Sequence, residues 1–283
     1  MPRTDVLVGE GRVKETAPSS AVTDHHVQPS DGTRPPIFVV GCPRSGTTLL
    51  RLILDSHPSI SAGPESRFLW GIRAIEERNW ATLAGFGLER AEWHAQVRSL
   101  FEAFHLRYAQ HQGKVRWADK SPDYALMLDY LDVLYPAAQV VHIVRDPRDV
   151  IDAWRRFYGR RSMYRAARAW VRYVGAAHRF AQQRGETKVW ELRYEDLVGR
   201  PEPTLRALFG WLGEPWDPGV LDFADRPHSF GAAPLREEDE RWARRNGRMR
   251  TSSIGVGHGM STALPFVVVR LRGRELLEEF DYL

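Results

Sequence analysis

Apolar and polar positions fall in short blocks along this chain, and the blocks predict its elements. Ile37-Phe38-Val39-Val40 is a compact apolar run with β-branched members, the pattern of a buried strand. Val140 to Val144 repeats it, and Lys188 to Leu192 gives a last, more polar version. Ser59-Ile60-Ser61 and Val115-Arg116-Trp117 read as two short strands. Between them lie helical stretches. Leu49 to Leu54 opens one, and Phe68, Trp70, Ile72 and Ile75 mark a second. Val97, Leu100, Phe101, Phe104 and Tyr108 within Ala91 to His111 recur close to the helical period. Tyr124 to Leu134 and the Ala- and Arg-rich stretch from Met163 to Gln183 continue the series. Strands alternating with helices predict an α/β fold: a parallel sheet flanked by helices on both faces. Ligands of such sheets sit at the C-terminal ends of strands.

The ends of the chain differ from this pattern. Met1 to Pro36 is polar and rich in Pro, Ser, Thr and Gly, so residues 1–35 are expected to form a disordered tail ahead of a domain spanning 36–283. Asp225 to Met260 is long, polar and rich in Gly and Arg, which suits a lid or binding loop better than a connection. Leu264 to Phe280 returns to helix.

The most informative stretch is Ile37 to Thr48, IFVVGCPRSGTT. A strand, a tight loop and a helix start bring backbone N–H groups and a positive dipole end to one point, which makes an anion site before any side chain is counted. Gly41-x-x-x-x-Gly46-Thr47-Thr48 has the spacing of a P-loop. Thr47 stands where a nucleoside triphosphatase has Lys, and the cation is supplied earlier in the loop by Arg44. Three more motifs follow strands: Asp119-Lys120-Ser121-Pro122, Arg145-Asp146-Pro147-Arg148-Asp149 and Arg193-Tyr194-Glu195-Asp196. All four therefore gather at one edge of the sheet.

Composition narrows the partners. With 283 residues and 43% hydrophobic content the chain can bury one sizeable core. A net charge of +4 supports no general nucleic-acid binding. From Val144 to Arg172, however, nine arginines face three aspartates, a local excess suited either to an acidic ligand or to a solvated helix face. Lys14, Lys114, Lys120 and Lys188 are the only lysines, which gives weight to Lys120 inside a motif. Cys42 is the sole cysteine, so no intrachain disulfide or cysteine metal cluster is expected and a reducing compartment fits. No apolar run has the length of a membrane span, and Met1 to Asp31 lacks the apolar core of a signal peptide. A cytoplasmic protein is the expectation, and homo-oligomerisation stays open.

PRSGTT after a buried strand resembles the 5′-phosphosulfate loop of sulfotransferases that use 3′-phosphoadenosine 5′-phosphosulfate (PAPS), and LLRLILDSHPSISAGPESR is similar to the tyrosylprotein-sulfotransferase-like branch. The resemblance runs to about Trp216. It implies that Arg44, Ser45, Gly46, Thr47 and Thr48 hold the 5′ side of PAPS, with Arg44 neutralising charge on the leaving group. Lys120 would assist the same leaving group, and Glu65 in GPESR would be the general base towards an acceptor hydroxyl. Cytosolic relatives carry a base His two residues beyond their loop Lys, where this chain has Pro122. Arg145 is similar to the 3′-phosphate arginine, and Ala153 replaces the Ser usual eight residues on. Tyr194 and Ser253 resemble further nucleotide contacts, the latter in a segment where Val256-Gly257 replaces a common Arg-Trp. No divalent metal is expected. A P-loop kinase or NTPase, and a non-catalytic nucleotide-binding relative, are the competing readings. The acceptor is left open among peptidyl tyrosine, a sugar and a small molecule.

Overall fold

In the computed structural model, residues 34–226, 228, 249, 251–260 and 263–283 are described. The expected tail lies outside them except at its end, where the Pro35 carbonyl accepts from Arg116 Nε at 2.7 Å. Most of the expected 225–260 loop lies outside them too.

Five strands form the sheet: β1 (Ile37–Gly41), β2 (Ile60–Ala62), β3 (Arg116–Lys120), β4 (Gln139–Val144) and β5 (Val189–Arg193). Their order is β2-β3-β1-β4-β5 and every pairing is parallel. Helices are α1 (Thr47–Asp55), α2 (Leu69–Gly85), α3 (Arg90–His111), α4 (Leu128–Leu134), α5 (Pro147–Tyr158) and α6 (Met163–Arg184). They continue as α7 (Tyr194–Gly199), α8 (Pro201–Leu212), α9 (Leu264–Arg272) and α10 (Arg274–Glu279). The alternation of β1 shows why both faces are covered. Ile37 and Val39 join Leu50, Ile53, Leu208 and Phe209 on one side. Phe38 and Val40 join Phe101, Tyr124 and Leu131 on the other. Phe38 is boxed by Trp117 and Tyr135, each with its ring centroid at 5.6 Å.

The strand order also locates the site. From β1 the chain goes to the edge strand β2, returns inward to β3 beside β1, then crosses to lay β4 against the other side of β1. The crevice opens where that order reverses, at the C-terminal end of β1 between β3 and β4.

Three local expectations change. β3 does not end at Trp117 but runs to Lys120, so Asp119 and Lys120 are strand residues rather than loop residues. Backbone pairing to Phe38 and Val39 outweighs the polar look of ADK. The predicted helix from Tyr124 to Leu134 divides into a 3₁₀ turn (Pro122–Leu126) and α4. In α2 only Leu69 and Glu76 are fully buried, so apolar periodicity misdescribes it. Its anchor is the Glu76 carboxylate, which accepts from Arg90, Trp93, His94 and Tyr130 at 2.8–3.1 Å.

Candidate active site

The loop from Cys42 to Gly46 turns back on itself through a Ser45 N–H to Cys42 carbonyl bond of 3.0 Å. Gly46, at φ +102°, takes the left-handed conformation that starts α1. A Cβ there would stand 2.4 Å from the Tyr194 ring. Arg44 also has a positive φ, +78°, a conformation that costs roughly 1–2 kcal/mol for a non-glycine residue and recurs at functional sites. α1 has no side-chain cap and no acidic residue in its first turn, so its N–H groups and positive dipole end face the crevice. The buried Ser45 hydroxyl meets no partner among the described residues. These features fit a bound phosphosulfate. Gly46→Ala should lower affinity for 3′-phosphoadenosine 5′-phosphate (PAP) at least about tenfold in calorimetry, since the new methyl must displace Tyr194 or the loop itself.

Arg145, at the exit of β4, organises the second half. It is 8% exposed, lies over the Tyr194 ring at 4.4 Å, and donates to the Arg44 and Ser253 carbonyls at 3.3 and 2.5 Å. Its buried Nε meets no acceptor among the described residues, which suits an anion arriving there. The Trp170 indole N–H holds the Arg145 carbonyl at 2.9 Å. Tyr194 and Ser253 are joined by a 2.7 Å hydroxyl contact. Tyr194 is thus a buried residue at a strand exit that touches both Arg145 and Ser253.

Asp149 holds the late segment in place, a role the sequence reading missed. Its fully buried carboxylate accepts from the Gly255 and Gly257 N–H groups at 2.9 and 2.6 Å. A Cβ on Gly257 would stand 2.2 Å from the Arg148 carbonyl oxygen. That close approach explains why glycine stands at 257. The detectable signal was an acid four residues after Arg145, one helical turn away and 3.6 Å from its guanidinium.

Glu65 and Lys120 meet across the crevice as an ion pair, with Lys120 Nζ also 3.4 Å from Thr48 Oγ1. Lys120 is buried and the Glu65 side chain is 35% exposed, so the carboxylate is the partner that faces the opening. Arg67 pairs with Asp123 at 3.0 Å and approaches Glu65 at 4.0 Å. Three predicted residues therefore converge: Glu65, Lys120 and Thr48. Arg44 makes a different contact, its guanidinium lying 4.4 Å from the Phe157 ring centroid on α5.

The arginine excess divides in two. Asp146 takes Arg148, Asp149 takes Arg145, and Asp152 takes both Arg155 and Arg156. Arg155 and Arg156, expected as substitutes for the missing Ser at half-buried Ala153, are thus already engaged; Arg248 and Arg250 lie outside the described residues. Arg160, Arg161, Arg165, Arg168 and Arg172 are exposed. Arg160 and Arg161 precede α6, and Arg165, Arg168 and Arg172 lie in its first half. Burial pushes the Cys42 thiol well above its usual range, so it is no nucleophile.

Residues 35–218 match the sulfotransferase family, and the chain belongs to it. It is 28% identical over 217 residues to the nodulation protein NoeE of Sinorhizobium fredii, covering 66% of this chain and 51% of that one. It is 31% identical to human protein-tyrosine sulfotransferase 1, covering 71% and 57%. The chain spans about half the length of the curated relatives it matches. Among solved structures, the sulfotransferase domain of the curacin biosynthetic pathway superposes with a TM-score of 0.65 at 20% identity, covering 88% and 98%. A mouse sulfotransferase complexed with PAP superposes at 0.50 and 14% identity, covering 87% and 89%. Both share the fold.

Proposed function

We propose that this protein transfers a sulfuryl group from PAPS to an acceptor hydroxyl, with Glu65 as general base and Arg44 and Lys120 on the leaving-group side. The observation that carries this reading is the Glu65–Lys120 pair beside Thr48, at the mouth of an uncapped phosphate loop. Sulfuryl transfer asks for positioning, charge stabilisation and removal of one proton. As the acceptor oxygen bonds to sulfur, the bond from sulfur to the bridging oxygen breaks and its electron pair stays on the 5′-phosphate of PAP. Glu65 takes the acceptor proton. Lys120, already beside Thr48, supplies positive charge where that electron pair settles, and the α1 N–H groups add theirs. Engaging the sulfonate frees Glu65 from Lys120 at the moment it is needed.

Arg145, Tyr194 and Ser253 form the 3′-phosphate half, with Asp149 holding the segment that carries Ser253. The absence of Lys at position 47 speaks against a triphosphatase. The five exposed arginines before α6 and in its first half favour an acceptor with negative charge of its own. A cytoplasmic, reducing setting belongs to the same proposal and rests on the single buried cysteine. Incubation with sulfur-labelled PAPS and a panel of phenols, sugars, acidic peptides and small alcohols tests the assignment. Label should move to one class of hydroxyl. Release of label to none of them, together with magnesium-dependent ATP hydrolysis, would overturn it.

A further inference from the structure

The segments that follow β4 and β5 are tied together one residue beyond the pair at the crevice. In the parallel register Val144 stands opposite Arg193, which brings Arg145 beside Tyr194 and Asp146 beside Glu195. Arg145 and Tyr194 form a stack, with the guanidinium 4.4 Å from the ring centroid. Asp146 and Glu195 form a hydrogen bond, in which the Asp146 N–H donates to Glu195 Oε1 at 2.9 Å. The Arg145 carbonyl accepts from the Trp170 indole N–H, also at 2.9 Å. That carbonyl and the Asp146 N–H belong to one peptide unit. Side chains therefore hold both of its polar groups, and this unit carries Arg145 into the site.

Glu195 is itself held in place. Its second oxygen, Oε2, accepts from the Tyr282 hydroxyl at 2.7 Å. Tyr282 lies just past α10, is 2% exposed, and shares an apolar cluster with Val144 and Trp170. The Arg193 guanidinium lies over its ring at 5.0 Å. Burial and the neighbouring carboxylate push the Tyr282 hydroxyl well above its usual range, so it keeps its proton and donates. Burial raises Glu195 as well, while its two donors favour the ionised form. An acid thus stands next in sequence to Tyr194 and close behind Arg145. By charge alone, a carboxylate there opposes an anionic ligand. An acid kept in that place with both oxygens engaged points to a positional use.

We propose that Glu195 is a positioning residue, which fixes the peptide between Arg145 and Asp146 and thereby aims the Arg145 guanidinium at the 3′-phosphate of the nucleotide; this rests on PAPS being the donor. Arg145 already donates to the Arg44 and Ser253 carbonyls, and its buried Nε meets no acceptor among the described residues. The direction of that remaining donor matters, because a hydrogen bond weakens steeply as its angle closes. Groups that contact a ligand keep their aim through a supporting shell of hydrogen bonds. Here the support is Trp170 on one side and the Glu195–Tyr282 pair on the other. The 5′ side of the nucleotide is assigned to the loop after β1, away from this support. Loss of Glu195 should therefore weaken only what the 3′-phosphate adds.

The test compares PAP with adenosine 5′-monophosphate (AMP), which lacks only the 3′-phosphate. Affinity is read by calorimetry for PAP and by displacement of PAP for AMP. Glu195→Ala should lower PAP affinity about tenfold or more and AMP affinity by less than about twofold, so the preference for PAP falls. Glu195→Gln should recover most of that loss. Its amide oxygen still accepts from the Asp146 N–H, and its NH₂ group can donate to the Tyr282 oxygen. Tighter PAP binding in Glu195→Ala would mean that only the charge acts, and would overturn the proposal. So would an unchanged preference, equal losses for PAP and AMP, or a Glu195→Gln no better than Glu195→Ala. Should Glu195→Ala fail to fold, Tyr282→Phe is read in its place. It should lower the preference about threefold, and an unchanged preference there would overturn the proposal equally. Wild-type protein that binds AMP as tightly as PAP would remove the PAPS reading and this inference with it. A wild-type preference for PAP that survives Glu195→Ala removes the positioning role alone.

Discussion

Glu65→Gln should reduce turnover by about 10²–10⁴-fold with PAP affinity nearly unchanged. An acceptor hydroxyl is a weak nucleophile at neutral pH, and its proton must leave as the bond to sulfur forms. Gln keeps the length and hydrogen-bonding reach of Glu but cannot accept that proton. The contacts of Glu65 explain why binding should survive. It touches Lys120 and Arg67 at the open side of the crevice, while PAP affinity is assigned to Arg145, Tyr194, Ser253 and the loop after β1. Single-turnover kinetics with PAP binding measured by calorimetry check both halves. A large loss of PAP affinity would mean that Glu65 shapes the nucleotide site rather than serving the acceptor.

Lys120→Ala should cost on the order of 10²–10³-fold in turnover, the range found when one preorganised donor to a developing charge is removed. Lys120 is buried at the end of a central strand, so its ammonium acts in a medium less polar than water. It pairs with the Glu65 carboxylate, which the alanine leaves partly solvated, so the fold should hold. The rate deficit should exceed the loss in PAP affinity, because the positive charge matters most when the bridging oxygen departs. Equal losses in binding and turnover would show that Lys120 holds the ground state alone.

Much of this site was legible because its parts are short and contiguous. Strand, loop and helix start lie within Ile37 to Thr48, and local rules suffice to read them as an anion site. The alternation of strands and helices fixed the sheet type for similar reasons. Convergence over long separations was visible only as a coincidence of strand exits. Tyr194 meets Ser253 across 59 positions, and Arg145 meets the Ser253 carbonyl across 108. Asp149 escaped notice because its partners are backbone N–H groups, which carry no residue code. Asp119 and Lys120 were misplaced in a loop because hydropathy treats a charged pair as solvated, whereas the parallel pairing with β1 extends the strand through both. In α2 the missing information was a buried carboxylate used as an anchor in place of an apolar stripe. Polar groups that fold inward for a purpose are where pattern reading fails.

The proposed nucleotide site makes the central claim directly measurable. By the proposed function PAP binds the folded state through both halves of the site, so a hundredfold excess over its Kd should raise the melting temperature by about 5 °C or more. ATP with magnesium lacks the 3′-phosphate for Arg145 and meets Thr47 where its γ-phosphate would need Lys, so it should raise it less. Melting curves of the protein with PAP and with ATP–magnesium at equal concentrations decide the matter. Greater stabilisation by PAP is the result the sulfotransferase account requires, and equal or greater stabilisation by ATP–magnesium would contradict it.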